Sequence, residues 1–254
     1  MTMPRVVVSE TLDSLAETDP AAVRSRRDLQ RINALIGTRR ILTRALKHLI
    51  PPVGAPDGQP LRILELGSGD GQLMLGVARA LKRSGYPAVD LTLLDRQDLV
   101  SSATIDAYAE MGWYATSQVV DVLDWATGRG PVRRDRQSRP FWDVIVCNLF
   151  LHHFEGGALL SLLDAIEARS ASILVCEPRR SRLALAGAHL VGLIGANAVT
   201  RKDAVLSVHA GFRSSEISQL WDGRTANWML KEYSGGGVSH CFCAKRNNTL
   251  LLGN

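Results

Sequence analysis

Apolar residues recur at helical spacing across residues 21–50, where Leu29, Ile32, Leu35, Ile36, Leu42, Ala45, Leu46 and Leu49 stand among arginines. This period predicts one or two amphipathic helices, begun by Asp19-Pro20 and divided at Gly37. Pro51-Pro52, followed by Gly54, Pro56, Asp57, Gly58 and Pro60, ends them in a loop. Beyond it the pattern changes to short apolar runs of strand character: Leu61–Leu66, Leu91–Leu94, Gln118–Val120, Trp142–Cys147 and Ser172–Cys176, with helical patterns between them. The residues at the strand ends, Gly67, Asp95, Asp121, Asn148 and Glu177, stand 28, 26, 27 and 29 positions apart, close to the length of a strand, crossover helix and return. A doubly wound parallel α/β sheet follows. Toward the C-terminus, Trp228–Tyr233 and Ser239–Lys245 flank Ser234-Gly235-Gly236-Gly237, a hairpin-like connection that predicts an antiparallel edge. The stretch Leu183–Val199 is almost wholly apolar, but Gly187, His189, Gly192, Gly195 and Asn197 interrupt it. It falls short of a membrane span of roughly 20 residues and reads as a buried or lid helix.

Composition adds little to this picture and removes some alternatives. With 254 residues, 46% hydrophobic and 22% charged, the chain suits one large domain with an appendage. The formal charge of +5 is concentrated in residues 129–139, where five arginines face one aspartate, Asp135. No aromatics interleave with them as they do in a nucleic-acid stacking platform, so the run reads as a solvated loop. Cys147, Cys176, Cys241 and Cys243 form no CxxC pair and have no histidine at zinc spacing, which suggests neither a disulfide frame nor a metal site. The first residues carry no secretory pattern, and the expected compartment is the cytoplasm.

The chemistry begins at Glu65-Leu66-Gly67-Ser68-Gly69-Asp70-Gly71, three alternate glycines between a strand and a helix that starts near Gln72. Lack of side chains allows backbone to approach a ligand closely. The spacing differs from the dinucleotide fingerprint G-x-G-x-x-G, and no lysine follows as in a phosphate loop. Asp95 ends the second strand, where a carboxylate accepts both hydroxyls of a ribose or, alternatively, caps the following helix.

These residues, with Asp121-Val122 and Asp143-x-Ile145-x-Cys147-Asn148, resemble in order the cofactor motifs of class I S-adenosylmethionine-dependent methyltransferases across residues 61–246. The resemblance implies a Rossmann-like seven-stranded sheet with a reversed last strand, here carrying an N-terminal helical extension. It implies that Glu65, Gly67, Ser68, Gly69 and Gly71 pass under the methionine part of the cofactor, and that Asp95 holds the ribose. Asp121 and the Val122 amide would read the adenine edge, while Asn148 and Leu149 would lie beside the sulfonium. After the ribose carboxylate the family commonly has an apolar residue packed on adenine. Here Arg96 stands instead, to stack on the ring or point away. The product would be S-adenosylhomocysteine.

The acceptor side is Asn148-Leu149-Phe150-Leu151-His152-His153-Phe154, at the carboxyl end of the fourth strand. Methyl transfer to oxygen or nitrogen removes a proton, so His152 or His153 is the candidate base; the alternative is that both cap or pack the next helix. The family's nucleic-acid amino methylases resemble [DN]-P-P-[YFW] at this position, and those prolines are absent here. Glu177-Pro178 either faces the acceptor or merely ends the fifth strand. The sequence resembles the UbiE-like and bacterial natural-product branch, which implies a small-molecule acceptor such as a phenolic, quinone-like or polyketide-like hydroxyl and a place in secondary metabolism. A carbon or nitrogen acceptor, or a noncatalytic cofactor-binding scaffold, is the alternative. The expected division is a helical cap and linker over residues 1–60, the methyltransferase domain over 61–246 and a tail over 247–254.

Overall fold

A computed structural model describes residues 3–51, 59–129, 142–221 and 227–247. Most of the arginine-rich loop, the proline-glycine loop from Pro52 to Gly58 and the tail after Asn247 lie outside the described residues. The chain opens with an extended segment and a short helix α1 (Thr11–Ser14), then α2 (Pro20–Ile36) and α3 (Thr38–Leu49). Alternating strands and helices follow: β1 (Leu61–Leu66), α4 (Gln72–Arg83), β2 (Val89–Asp95), α5 (Ser102–Ala109), β3 (Tyr114–Val119), α6 (Val122–Thr127), β4 (Val144–Asn148), α7 (Gly156–Arg169) and β5 (Ser172–Pro178). Helices α8 (Arg182–Leu190), α9 (Ala198–Ala210) and α10 (Glu216–Leu220) precede the hairpin β6 (Trp228–Gly235) and β7 (Ser239–Arg246).

The sheet runs β3-β2-β1-β4-β5-β7-β6, with the first five strands parallel and β7 antiparallel to both neighbours. Alternation along each strand divides its side chains between two cores, as a sheet covered on both faces requires. Ile63, Val144, Val146 and Leu174 meet α3, α4 and α5, whereas Leu64, Ile145, Cys147, Ile173 and Val175 meet α6, α7 and α10.

Gly37 divides the N-terminal helices as the pattern predicts; at φ 75° it ends α2 in the left-handed region that glycine tolerates. Asp19 caps α2 through the Ala21 amide, with Pro20 at the first turn. The expected boundary at residue 61 cuts through one core, because Leu42, Ala45, Leu46 and Leu49 of α3 pack directly against the sheet. The apolar stretch after β5 also differs from expectation. Its large side chains Leu183, Leu190, Leu193 and Ile194 are exposed, while Ala184 and Ala188 are buried against Val208. The small residues allow α8 and α9 to approach closely, and Gly192 and Gly195 break the helix after Leu190. No helix among the described residues is long and apolar enough to cross a membrane.

Candidate active site

The carboxyl ends of β1, β2 and β4 converge on the glycine turn. Gly67, Gly69 and Gly71 all have positive φ, at 70°, 55° and 71°. The need for glycine differs among them. A Cβ on Gly67 would lie 2.2 Å from the Phe150 ring, and one on Gly71 would lie 3.0 Å from Leu93. At Gly69 a Cβ would meet nothing within 4 Å. Two glycines therefore serve the protein's own packing, and the middle one faces open space.

That space is a cavity of about 470 Å³ between the turn and the junction of α2 with α3. Glu65, Gly67, Ser68, Gly69, Asn148 and Leu149 line one side, and Arg26, Arg39 and Arg40 contribute to the other. Three buried polar atoms on the first side have no hydrogen-bond partner: Glu65 Oε2, Ser68 Oγ and Asn148 Oδ1. Buried polar atoms are normally satisfied, so three orphans on one wall mark a place where a ligand completes the bonding. Burial, together with the nearby charges of Asp95 and Asp70, pushes the Glu65 carboxyl up to about 8.

Asp95 lies at the same edge outside that lining. It accepts from the Gly69 amide at 2.8 Å and the Gln97 amide at 3.0 Å, tying the β2 end to the turn. Asp121 caps α6 through the Leu123 amide at 2.7 Å, and Val122 is that helix's first residue. Arg96 is turned away from the cavity: its guanidinium donates to the Asp13 carbonyl and stands 3.4 Å from the Asp13 carboxylate. Stacking of Arg96 on a base is not the arrangement seen, because an acidic partner from the N-terminal segment holds it.

The second half of the site is built by that segment, which crosses the sheet edge as a strap. Arg180 donates to the Met3 carbonyl, Arg5 to the carbonyls of Ala210 and Phe154, and the Thr11 and Leu12 amides to the Asp203 carboxylate. Beneath the strap, Leu149 has a φ of 51° and Leu151–His153 form a single 3-10 turn. Glu177, fully buried, organises this turn: Oε1 accepts from the Phe150 and Leu151 amides at 3.0 and 2.8 Å, and Oε2 pairs with His152 Nδ1 at 2.6 Å. The other His152 nitrogen, Nε2, meets Glu10 Oε1 at 3.2 Å, and Glu10 also accepts from the Ser207 hydroxyl. His153 packs on His152 with ring centres 4.3 Å apart and pairs through Nδ1 with Asp13 at 3.1 Å.

Burial disfavours the charged form of His152, but hydrogen bonds and charge from Glu10 and Glu177 outweigh it and raise the imidazole to about 9. Burial likewise opposes ionisation of Glu10 and Asp13, and their histidine partners outweigh it and hold both carboxyls low. Both ring nitrogens of His152 are thus engaged by carboxylates in this arrangement. Glu10, His152 and His153 each offer a ligand atom, all within 4.8 Å of one another. Glu10 and Asp13 have no signal in the local sequence pattern, since they lie about 140 positions from the histidines they meet.

A family model described as a methyltransferase domain matches residues 38–234. No curated protein sequence matches the chain. Among solved structures, the chain is similar to plantazolicin methyltransferase BpumL in complex with SAH, at 17% identity and TM-score 0.59, covering 91% of this chain and 92% of that one. It is also similar to plantazolicin methyltransferase BamL in complex with a triazolic desmethylPZN analog and SAH, at 14% identity and TM-score 0.56, covering 93% and 94%. An O-methyltransferase family protein from Burkholderia thailandensis gives 14% identity and TM-score 0.56, covering 91% of this chain and 61% of that one. At these identities the likeness is one of fold.

Proposed function

Because the chain belongs to the methyltransferase-domain family, we propose that it transfers the methyl group of S-adenosylmethionine to a small-molecule acceptor, with the cofactor's amino-acid end in the cavity beside the glycine turn. The observation that carries this reading is the trio of unpartnered acceptors, Glu65 Oε2, Ser68 Oγ and Asn148 Oδ1, on one wall. A carboxylate and an amide carbonyl match an ammonium group, and a charge-assisted bond of this kind is the strong type. The arginines at 26, 39 and 40 give the opposite wall the sign that suits a carboxylate. When bound, the cofactor supplies an electrophilic methyl group on a sulfonium.

In this reading Gly69 admits the ligand backbone-close, and Leu149 closes the cavity near the β4 end. Gly67 lines the same cavity, and Gly67 and Gly71 also shape the turn. Asp95 holds the ribose: a carboxylate has about four lone-pair sites, and two are used by amides, so two hydroxyls can be taken. Asp121 and Val122 read the adenine edge from the start of α6. Arg96 anchors the strap over the ribose end instead of stacking on the base. His152 and His153 face the acceptor as a fixed pair under the strap, with Glu177 as positioning residue. The acceptor is a hydroxyl of a phenolic, quinone-like or polyketide-like compound, in keeping with the aromatic Phe150 and Phe154 beside the histidines.

The test is turnover. Purified protein is incubated with S-adenosylmethionine and a panel of phenols, hydroquinones, aliphatic alcohols and amines, and S-adenosylhomocysteine is quantified. Methylation confined to phenolic or enolic hydroxyls is expected; product from amines alone would contradict the acceptor assignment, and none from any member would contradict transfer to these classes.

A further inference from the structure

The cluster under the strap has the donor set and the outer partners of a transition-metal site. We propose that Glu10, His152 and His153 bind one divalent ion of borderline softness, such as Zn2+. Two imidazoles and a carboxylate with a position left for an exchangeable ligand are a catalytic zinc set, whereas magnesium and calcium prefer oxygen donors. Ligand atoms at about 2 Å around a tetrahedral ion stand roughly 3.3 Å apart. His152 Nε2 and Glu10 Oε1 are already 3.2 Å apart, and all three donors fall within 4.8 Å, so small side-chain adjustments close the set.

A second feature points the same way. Metal-ligating histidines commonly donate the other ring N–H to a carboxylate, which fixes the tautomer and makes the free nitrogen more basic. Both histidines here have that arrangement: Nδ1 of His152 is 2.6 Å from Glu177, and Nδ1 of His153 is 3.1 Å from Asp13. For His152 this leaves Nε2 toward Glu10, and one ring nitrogen of His153 lies within the same group of donors. The neighbourhood holds three carboxylates, Glu10, Asp13 and Glu177, around the imidazole pair, and Arg96 pairs with Asp13. In the metal-bound state the ion takes the place of the proton on His152 Nε2. Because Glu10 belongs to the strap and the histidines to the β4 edge, the ion also ties the strap down.

Its role, unlike its binding, rests on the methyl-transfer reading. A hydroxyl coordinated to such an ion would be acidified by the metal's charge and would release its proton to water. The oxygen's electron pair then forms the bond to the methyl carbon as the carbon–sulfur pair returns to sulfur.

The experiment is calorimetric titration of chelator-stripped full-length protein with zinc chloride. One ion per chain is expected, with micromolar or tighter affinity. Glu10→Gln and His153→Ala should each weaken binding at least about 100-fold, and Asp13→Asn, which touches only the outer partner, about 10-fold. Thermal melts establish that the variants are folded, and Glu10→Gln and Asp13→Asn keep the test open if the histidine variant fails. Absence of 1:1 binding below 100 µM, or wild-type affinity in any folded ligand variant, would overturn the site. Titration of the same stripped protein with S-adenosylhomocysteine reads the cofactor cavity separately, so loss of one binding event does not mask the other.

Discussion

Two glutamates end neighbouring regions of the same sheet edge, both buried, and they have opposite circumstances. Glu177 at the end of β5 makes three hydrogen bonds, to two backbone amides and to His152. Glu65 near the end of β1 leaves Oε2 without a partner and has its carboxyl pushed up to about 8. The same split separates Gly67, whose missing Cβ makes room for Phe150, from Gly69, which faces open space. A group the protein completes for itself maintains the architecture, and a group left incomplete marks where a ligand is required. The cavity beside the glycine turn is open by this standard, and the histidine half is closed by the strap.

The largest effect should come from breaking the completed member of the pair. Glu177→Gln leaves the buried His152 imidazolium short of a full counter-charge and should lower stability by about 3 kcal/mol or more, read as a fall in melting temperature. Glu65→Gln should leave the unliganded protein at neutral pH as stable or more stable. Equal losses from the two substitutions would erase the distinction between them. Next in size is the glycine contrast. Gly67→Ala meets the Phe150 ring at 2.2 Å and should destabilise by about 2–3 kcal/mol, while Gly69→Ala has space and should cost only about 1–2 kcal/mol from its positive φ. The ranking should invert for S-adenosylhomocysteine affinity measured on folded protein, because a Gly69 methyl meets no protein atom and enters the cavity, whereas a Gly67 methyl is directed at the Phe150 ring.

The comparison is sharpened further through pH. Glu65 has its folded value raised to about 8, so its contribution to stability is fully present below the unfolded carboxyl range near 4.5 and is lost as pH rises toward 8. Unliganded wild-type protein should lose stability across that window more steeply than Glu65→Gln, by chemical denaturation at a series of pH values. The sign reverses for ligand binding. An ammonium-bearing ligand favours ionised Glu65, so S-adenosylhomocysteine affinity should rise with pH between 6 and 8, by up to tenfold per unit, and level off above.

How much of this was legible from sequence follows from the range of the interactions. Four of the five parallel strands were marked by their apolar runs, and β1 begins and ends at the expected residues because Leu61–Leu66 is buried on both faces; β3 covers Tyr114–Val119 and not the expected Gln118–Val120, because its exposed and polar positions carry no apolar run. One wall of the cavity was legible too, since Glu65, Gly69 and Asn148 sit at or beside strand ends whose spacing the βα repeat sets. Side-chain direction was not: Arg96 could stack or turn away, and only Asp13, 83 positions distant, decides it. The strap left no trace because Met3–Leu15 has almost no regular periodicity, and α1 buries none of its residues. Its anchors are polar bonds to Asp203, Arg180 and the histidines, which pattern analysis does not detect. Apolar content at Leu183–Ile194 misled for a related reason, as Ala184 and Ala188, joined by Leu185, make the contact with α9 while Leu183, Leu190, Leu193 and Ile194 are exposed.

Calorimetric titration of S-adenosylhomocysteine into wild-type protein and Glu65→Gln at pH 8 tests the central claim most directly. The account predicts one site per chain in the wild type and an affinity loss of about 10- to 100-fold on removing the carboxylate charge. No binding to the wild type, or equal affinity in the two proteins, would contradict it.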